Sequence, residues 1–142
     1  MAETKQIEVE VDGAVARFAL REDFAPQTAS ALWETLTIEG PLRHAKLSGE
    51  ACFCSVERGP LALLPAQPEL PVASIYKGWL VASPGHGATE LLISYGLAEY
   101  RWPTGRRYVT PLAELQGDGQ ALYEALARTH TEGEKTIVIR RV

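Results

Sequence analysis

From Lys5 to Val11 the chain alternates strictly, with Ile7, Val9 and Val11 on one side and Glu8 and Glu10 on the other. Only the two-residue period of an extended strand puts such positions on a common face. Asp12-Gly13 follows, a dipeptide suited to the left-handed conformations of a tight type I′ turn. Ala14 to Arg21 then runs back, with Ala16, Phe18 and Leu20 inward and Arg17 and Arg21 outward. The chain thus opens as an antiparallel hairpin with one apolar face that must be covered.

The rest extends this theme. Pro26 suits the first turn of a helix, where its missing N–H costs nothing. Ala29, Leu32, Trp33 and Leu36 then recur at helical spacing, and Gly40-Pro41 ends the connection that follows. Leu42–Leu47 and Ala51–Val56 read as strands broken at Ser48-Gly49, a pattern that marks a bulge. Four prolines (60, 65, 68 and 71) make Arg58 to Pro71 an extended loop, a cover over a pocket or a plain surface segment. Val72 to Val81 is strand-like, Ser83 to Gly87 is a turn, and Thr89 to Tyr95 is apolar enough for a central strand. Tyr100 to Tyr108 is an aromatic and basic loop. Asp118 is placed to cap a second helix carrying Leu122, Ala125 and Leu126, and Lys135 to Val142 closes the chain as a strand.

Short strands set by turns, two helices far apart and no strand–helix–strand alternation favour a mainly β fold: a closed antiparallel barrel of about eight strands with two helices. At 142 residues the chain suits one domain, 1–142. A net charge of −4 without a basic block lacks the footprint of a nucleic-acid binder. No apolar run approaches the ~20 residues that span a bilayer, and Met1 to Gln6 lacks a signal-peptide core. A cytoplasmic location is expected, with no membrane partner. Cys52 and Cys54 would share a strand face as two small buried hydrophobes, too close in sequence for a comfortable disulfide and too few for a zinc site.

Three further pieces resemble a known architecture. The helix opens on Pro26-Gln27-Thr28, His44-Ala45 is followed by Ser48-Gly49-Glu50, and Pro84-Gly85 leads to Glu90 and Tyr95-Gly96. In that order and spacing, over roughly residues 5 to 142, they resemble a bacterial family of unknown function expected to adopt the cyclophilin-like barrel. The resemblance implies that fold. It does not extend to the isomerase motifs, because prolyl isomerases of this fold carry Phe-His-Arg where this chain has Leu42-Arg43-His44-Ala45. Their Gln-Phe-Phe strand is replaced by Leu91-Leu92-Ile93-Ser94, and Leu47 stands where the smaller family carries Trp.

In such a barrel His44, Ser48, Glu50, Glu90 and Tyr95 are expected to converge on one groove. His44 and Glu50 would form an acid/base pair. Arg43, Ser48, Glu90, Tyr95, His86 and Arg101 would contact a polar substrate. The alternative for these residues is a satisfied structural network. Arg101, Arg106 and Arg107 with Tyr100, Trp102 and Tyr108 suggest a clamp for a carboxylate or phosphate, an exposed partner-binding loop, or a solvated basic turn with its aromatics tucked into the core. His130, near the end of the second helix, would meet the helix dipole. The histidine and glutamate spacings match no metal signature, and no metal or other cofactor is expected. Three functions stay open: a site that binds a small polar metabolite and converts it by hydrolysis or isomerisation, a non-catalytic interaction module or enzyme subunit, and a prolyl isomerase. The expected partner is a small molecule, with a homo-oligomer left open.

Overall fold

A computed structural model describes residues 4–142. In chain order the elements are β1 (Gln6–Val11), β2 (Ala14–Leu20), α1 (Pro26–Thr35), β3 (Ile38–His44), β4 (Gly49–Val56) and α2 (Gly59–Ala62). There follow β5 (Trp79–Pro84), β6 (Thr89–Ala98), β7 (Arg101–Trp102), β8 (Gly105–Arg106), β9 (Thr110–Gln116), α3 (Gln120–Glu132) and β10 (Lys135–Arg141). Eight strands close a barrel in the order β1-β10-β3-β4-β6-β5-β9-β2, and β7 and β8 pair outside it. Every pairing is antiparallel. The mainly β closed barrel of eight strands is therefore as expected, with two substantial helices and a third of a single turn.

The opening hairpin follows its alternation: Ile7 pairs with Phe18, Val9 with Ala16 and Val11 with Ala14. Ile7, Val9, Phe18, Leu42, Leu80, Leu91, Ile93 and Ile139 fill the interior, each essentially inaccessible. Full burial of each such aliphatic or aromatic side chain stabilises by about 1.5–3 kcal/mol. Cys52 and Cys54 are free, buried and turned inward from β4, as their i, i+2 spacing requires. Two helical caps finish the barrel. Beside the Leu20 end of β2, α1 packs with α2; α3 lies at the opposite end, where Asp12 pairs with Lys135 at 2.9 Å.

Several local expectations need correction. β3 begins at Ile38 and runs through Gly40-Pro41, which pair with Ile137 and Thr136 on β10. Proline is tolerated there because β4 joins β3 only at Arg43 and His44, so the other side of Pro41 has no ladder to break. Val72 to Gly78 is not strand; it carries only the isolated bridges Val72–Val109 and Ser74–Glu99, and β5 starts at Trp79. Ser83-Pro84 ends β5 rather than belonging to the turn. β9 is unforeseen: Pro111 obscures it, and the proline sits at a register shift where Leu112 is the extra residue opposite Leu80 and Val81. Asp118 caps α3 from one position before the cap, its Oδ1 accepting the Gln120 N–H at 2.9 Å.

The proline-rich loop serves α1. Ala25 offers the helix no side-chain cap. Glu69 takes over, accepting the N–H groups of Gln27 and Thr28 and the Thr28 hydroxyl, the last two at 2.7 Å. A carboxylate at a helix N-terminus satisfies free donors and the dipole together. At the other end of α1, Arg58 donates to the Thr35 and Thr37 carbonyls.

A second apolar cluster lies on the outside of the barrel. Ala51, Leu92 and Val81, with Phe53 beside them, form a wall on β4, β6 and β5. The chain from Val72 to Ile75 and from Ala98 to Val109 lies across it, contributing Ile75, Tyr100 and Val109.

Candidate functional site

Strand parity decides which candidate residues meet. On β6, Leu91, Ile93 and Tyr95 belong to the interior, whereas Leu92 belongs to the outer wall and Glu90 lies beside it. The expected convergence on one groove is therefore corrected. The candidates separate into an inner cluster beneath α3 and an outer pocket on the β4–β6 wall.

The inner cluster forms where β3, β4 and β6 approach the C-terminal half of α3. His44 Nε2 and Tyr95 Oη lie 2.7 Å apart. The His44 ring also packs on His130, centroids 4.8 Å apart. His130 thus meets a second imidazole and not only the helix terminus. Burial holds the His44 imidazole below its usual range, His130 and Lys46 add to this, and Glu50 opposes it. Burial likewise raises the Tyr95 phenol, with Cys52 and Glu50 contributing. Both members of the pair are accordingly uncharged at neutral pH. His44 Nδ1 is buried without a partner. Next to them the Cys52 thiol lies 3.1 Å from the Thr129 hydroxyl, which itself donates to the Leu126 carbonyl.

Glu50 is tied elsewhere. It sits at the register shift between Gly49 and Ala51, and its Oε1 accepts the Leu97 N–H at 2.9 Å. Gly96 leaves room for this side chain, since a Cβ there would push the Glu50 carboxylate aside. Gly49 adopts φ +111°, and a Cβ there would stand 2.7 Å from the Leu97 carbonyl oxygen. The bulge foreseen at Ser48-Gly49 is thus locked by two glycines and a carboxylate.

The outer pocket encloses about 210 Å³. Its floor is a cross-strand pair, Phe53 on β4 and Leu92 on β6. Trp102, carried by the β7–β8 hairpin, and Leu47, at the tip of the β3–β4 connection, contribute to its lining. A relay of three side chains supplies its polar part. The Trp102 indole N–H donates to the Tyr100 hydroxyl at 2.8 Å, and that hydroxyl donates to Glu90 Oε1 at 2.7 Å. Burial, reinforced by Glu90, raises the Tyr100 phenol above its usual range, so it stays a donor. Glu90 Oε2 has no protein partner among the described residues. Ser48 is buried at the edge, its Oγ accepting the Arg101 N–H at 3.2 Å and its carbonyl the Glu99 N–H at 2.9 Å. The Arg101 guanidinium lines the pocket while paired with Glu99 at 3.0 Å.

Two expected contact residues stand apart from both places. Arg43 is exposed and paired with Glu134 at 2.9 Å. His86 is exposed in the turn between β5 and β6. Conversely, Phe53 and Leu92 were not among the expected contacts, and Tyr100 and Trp102 were expected only beside the arginines of their loop. Leu92 carries a signal in the sequence, since it follows Glu90 at strand spacing on the same face. Among the described residues no group of three or more His, Cys, Asp or Glu is placed to hold a metal ion. Nor is any helix long and apolar enough to cross a membrane. The reading of the first residues as lacking a leader rests in part on positions 1–3, outside the described residues.

Among curated proteins none matches this chain. The solution structure of a hypothetical protein from Archaeoglobus fulgidus, AF2241, is similar over 100% of both chains, with a TM-score of 0.59 and 14% identity. A likeness at that identity concerns the fold alone. A family model described as a protein of unknown function (DUF3830) matches residues 7–139, from β1 into β10, and the chain belongs to that family.

Proposed function

We propose that the outer pocket binds a small molecule with a flat apolar body and a hydrogen-bond donor, such as an amide or amine. The observation that carries this reading is the relay from Trp102 through Tyr100 to Glu90. It holds a carboxylate at an apolar pocket with one oxygen committed and one available. A convergent polar group in a mainly apolar concavity is the usual form of a small-ligand site. At about 210 Å³ the pocket is small for such a site, which limits the ligand to the size of a single ring with a substituent.

The reading places recognition on Glu90, Ser48, Phe53 and Trp102. Acid/base conversion by His44 and Glu50 has less support, because Glu50 is bonded to the Leu97 N–H and His44 to Tyr95. We take the barrel as cyclophilin-like on the resemblance of its motifs. Prolyl isomerisation would nonetheless lack its arginine, since Arg43 pairs with Glu134 and does not line the pocket.

The test is chemical-shift mapping of the labelled protein with benzamide, benzylamine and benzoate. The donor-bearing pair should move the Trp102 indole signal and the amides of Glu90 and Leu92, and benzoate should not. Glu90→Gln should weaken binding about tenfold or more, the value of a hydrogen bond to a charged group. Equal responses to all three probes, or shifts centred elsewhere, would sink the reading.

One observation favours a second reading, an interaction module. Leu97 and Tyr76, 86% and 66% exposed, line a shallow groove around Gly96, and Leu47 is exposed at the tip of the adjoining β3–β4 connection. Light scattering across a concentration series separates the readings: self-association lost in Leu97→Ser favours the module.

A further inference from the structure

On the far side of the β7–β8 hairpin lies a second, larger concavity of about 640 Å³. Pro65 and Pro68 of the loop after α2 line one part, Arg106, Arg107 and Tyr108 another, and Gln27 at the start of α1 contributes too. No aspartate or glutamate lines it, although the chain carries 18 of them and a net charge of −4. The nearby charges are unbalanced. Arg101 and Arg106 both bond the same oxygen of Glu99, at 3.0 and 2.7 Å, while Arg107 forms no ion pair among the described residues. The other carboxylate beside the groove, Glu69, is engaged by the Gln27 and Thr28 N–H groups and the Thr28 hydroxyl.

Arg107 is held ready rather than loose. Its guanidinium lies 4.3 Å from the centroid of the Trp102 ring, and its backbone N–H donates to the Tyr100 carbonyl at 3.0 Å. Stacking on an aromatic face orients a guanidinium and leaves its in-plane N–H donors unspent, the geometry that takes a carboxylate or phosphate with two parallel bonds. Gln27, Gln67 and Tyr108, whose side chains carry neutral donors, line the same groove. They suit the remaining oxygens of such a group.

We infer that this groove is an oxyanion site, taking a small organic ligand through its carboxylate or phosphate, with Arg107 as the principal contact. The groove is distinct from the outer pocket and shares with it only the Trp102 ring, which lines that pocket and supports Arg107. In an acidic protein the long-range field repels anions, so a groove without acidic lining and with an unpaired arginine is selective for where an anion settles.

Calorimetric titration of the full chain at fixed ionic strength, with inorganic phosphate and with succinate as separate probes, tests it. The expected result is saturable binding of at least one probe. Arg107→Gln should weaken that binding about tenfold or more, and Arg107→Lys less, since it keeps charge without the fork. Preference for phosphate or for succinate identifies which source of the oxyanion the groove serves, and either supports the site. Arg17→Gln, at an exposed arginine on β2 that lines neither pocket, should leave anion binding unchanged. The inference is overturned by absence of saturable binding of both probes up to about 10 mM. Binding that Arg107→Gln does not alter, or that Arg17→Gln abolishes, overturns it as well.

Discussion

Tyr100→Phe removes one oxygen and keeps the ring, which makes it the sharpest probe of the relay on the outer wall. The hydroxyl makes two bonds there, donating to Glu90 at 2.7 Å and accepting from Trp102 at 2.8 Å. A hydrogen bond to an ionised carboxylate contributes about 1.5–3 kcal/mol and a neutral one about 0.5–1.5 kcal/mol. Glu90 is half-buried and Trp102 exposed, so water takes over part of what is lost. The net cost should be about 2 kcal/mol, read as a shift of the guanidinium chloride midpoint at neutral pH with an unchanged slope. In a Glu90→Gln background the same substitution should cost about half as much, because the charge-assisted bond is already gone. Tyr100→Phe should also lower the response to benzamide, since Glu90 is no longer held in one orientation. A midpoint change worth less than about 0.5 kcal/mol, the scale of an ordinary surface substitution, would refute the reasoning.

Two further outcomes follow from buried titratable groups. Burial pushes the Cys52 thiol up to about 11 and Cys54 up to about 12, against 9.0 for a free thiol. Folded values above unfolded ones give stability that is complete below pH ~9 and lost as pH rises toward 11–12. Each thiol then contributes a slope of about 1.4 kcal/mol per pH unit, and a Cys52→Ala/Cys54→Ala variant should lose that slope in unfolding measured from pH 8 to 10.5. Parallel curves for variant and wild type would count against the assignment. The His44 imidazole is shifted the opposite way, so its contribution is present above its ordinary value of 6.5 and fades as pH falls through the lower folded value. Proton NMR of the ring should show His44 taking up its proton at lower pH than an exposed histidine; uptake at or above 6.5 would contradict its burial.

The sequence is most legible where local and tertiary demands agree. The hairpin at Asp12-Gly13, the helix opening at Pro26, the apolar strand after Thr89 and the closing strand all lie close to where periodicity places them. β9 is illegible because Pro111 removes a donor and Leu112 breaks the alternation, and only pairing with distant β5 makes a strand of it. Val72 to Gly78 misleads in the opposite sense. Its β-branched and aromatic residues pack on the outer wall, but the segment lies across the strands instead of joining them. The grouping of the candidate residues is legible in one part and not in another. Glu90 and Tyr95 are five positions apart on one strand, an odd interval that sends them to opposite faces, so strand parity alone implies that division. The partnership of His44 with His130 has no such local signal, because it depends on how α3 folds back over β3.

The seam of the barrel has a consequence for how the molecule is made. β10 follows every other barrel strand in chain order, and it fills a slot between β1 and β3. Until it leaves the ribosome, both of those strands keep an open edge of unpaired N–H and C=O groups, the kind of template on which neighbouring nascent chains associate. The barrel therefore stays open at this seam until the seven-residue strand Lys135–Arg141 reaches the slot.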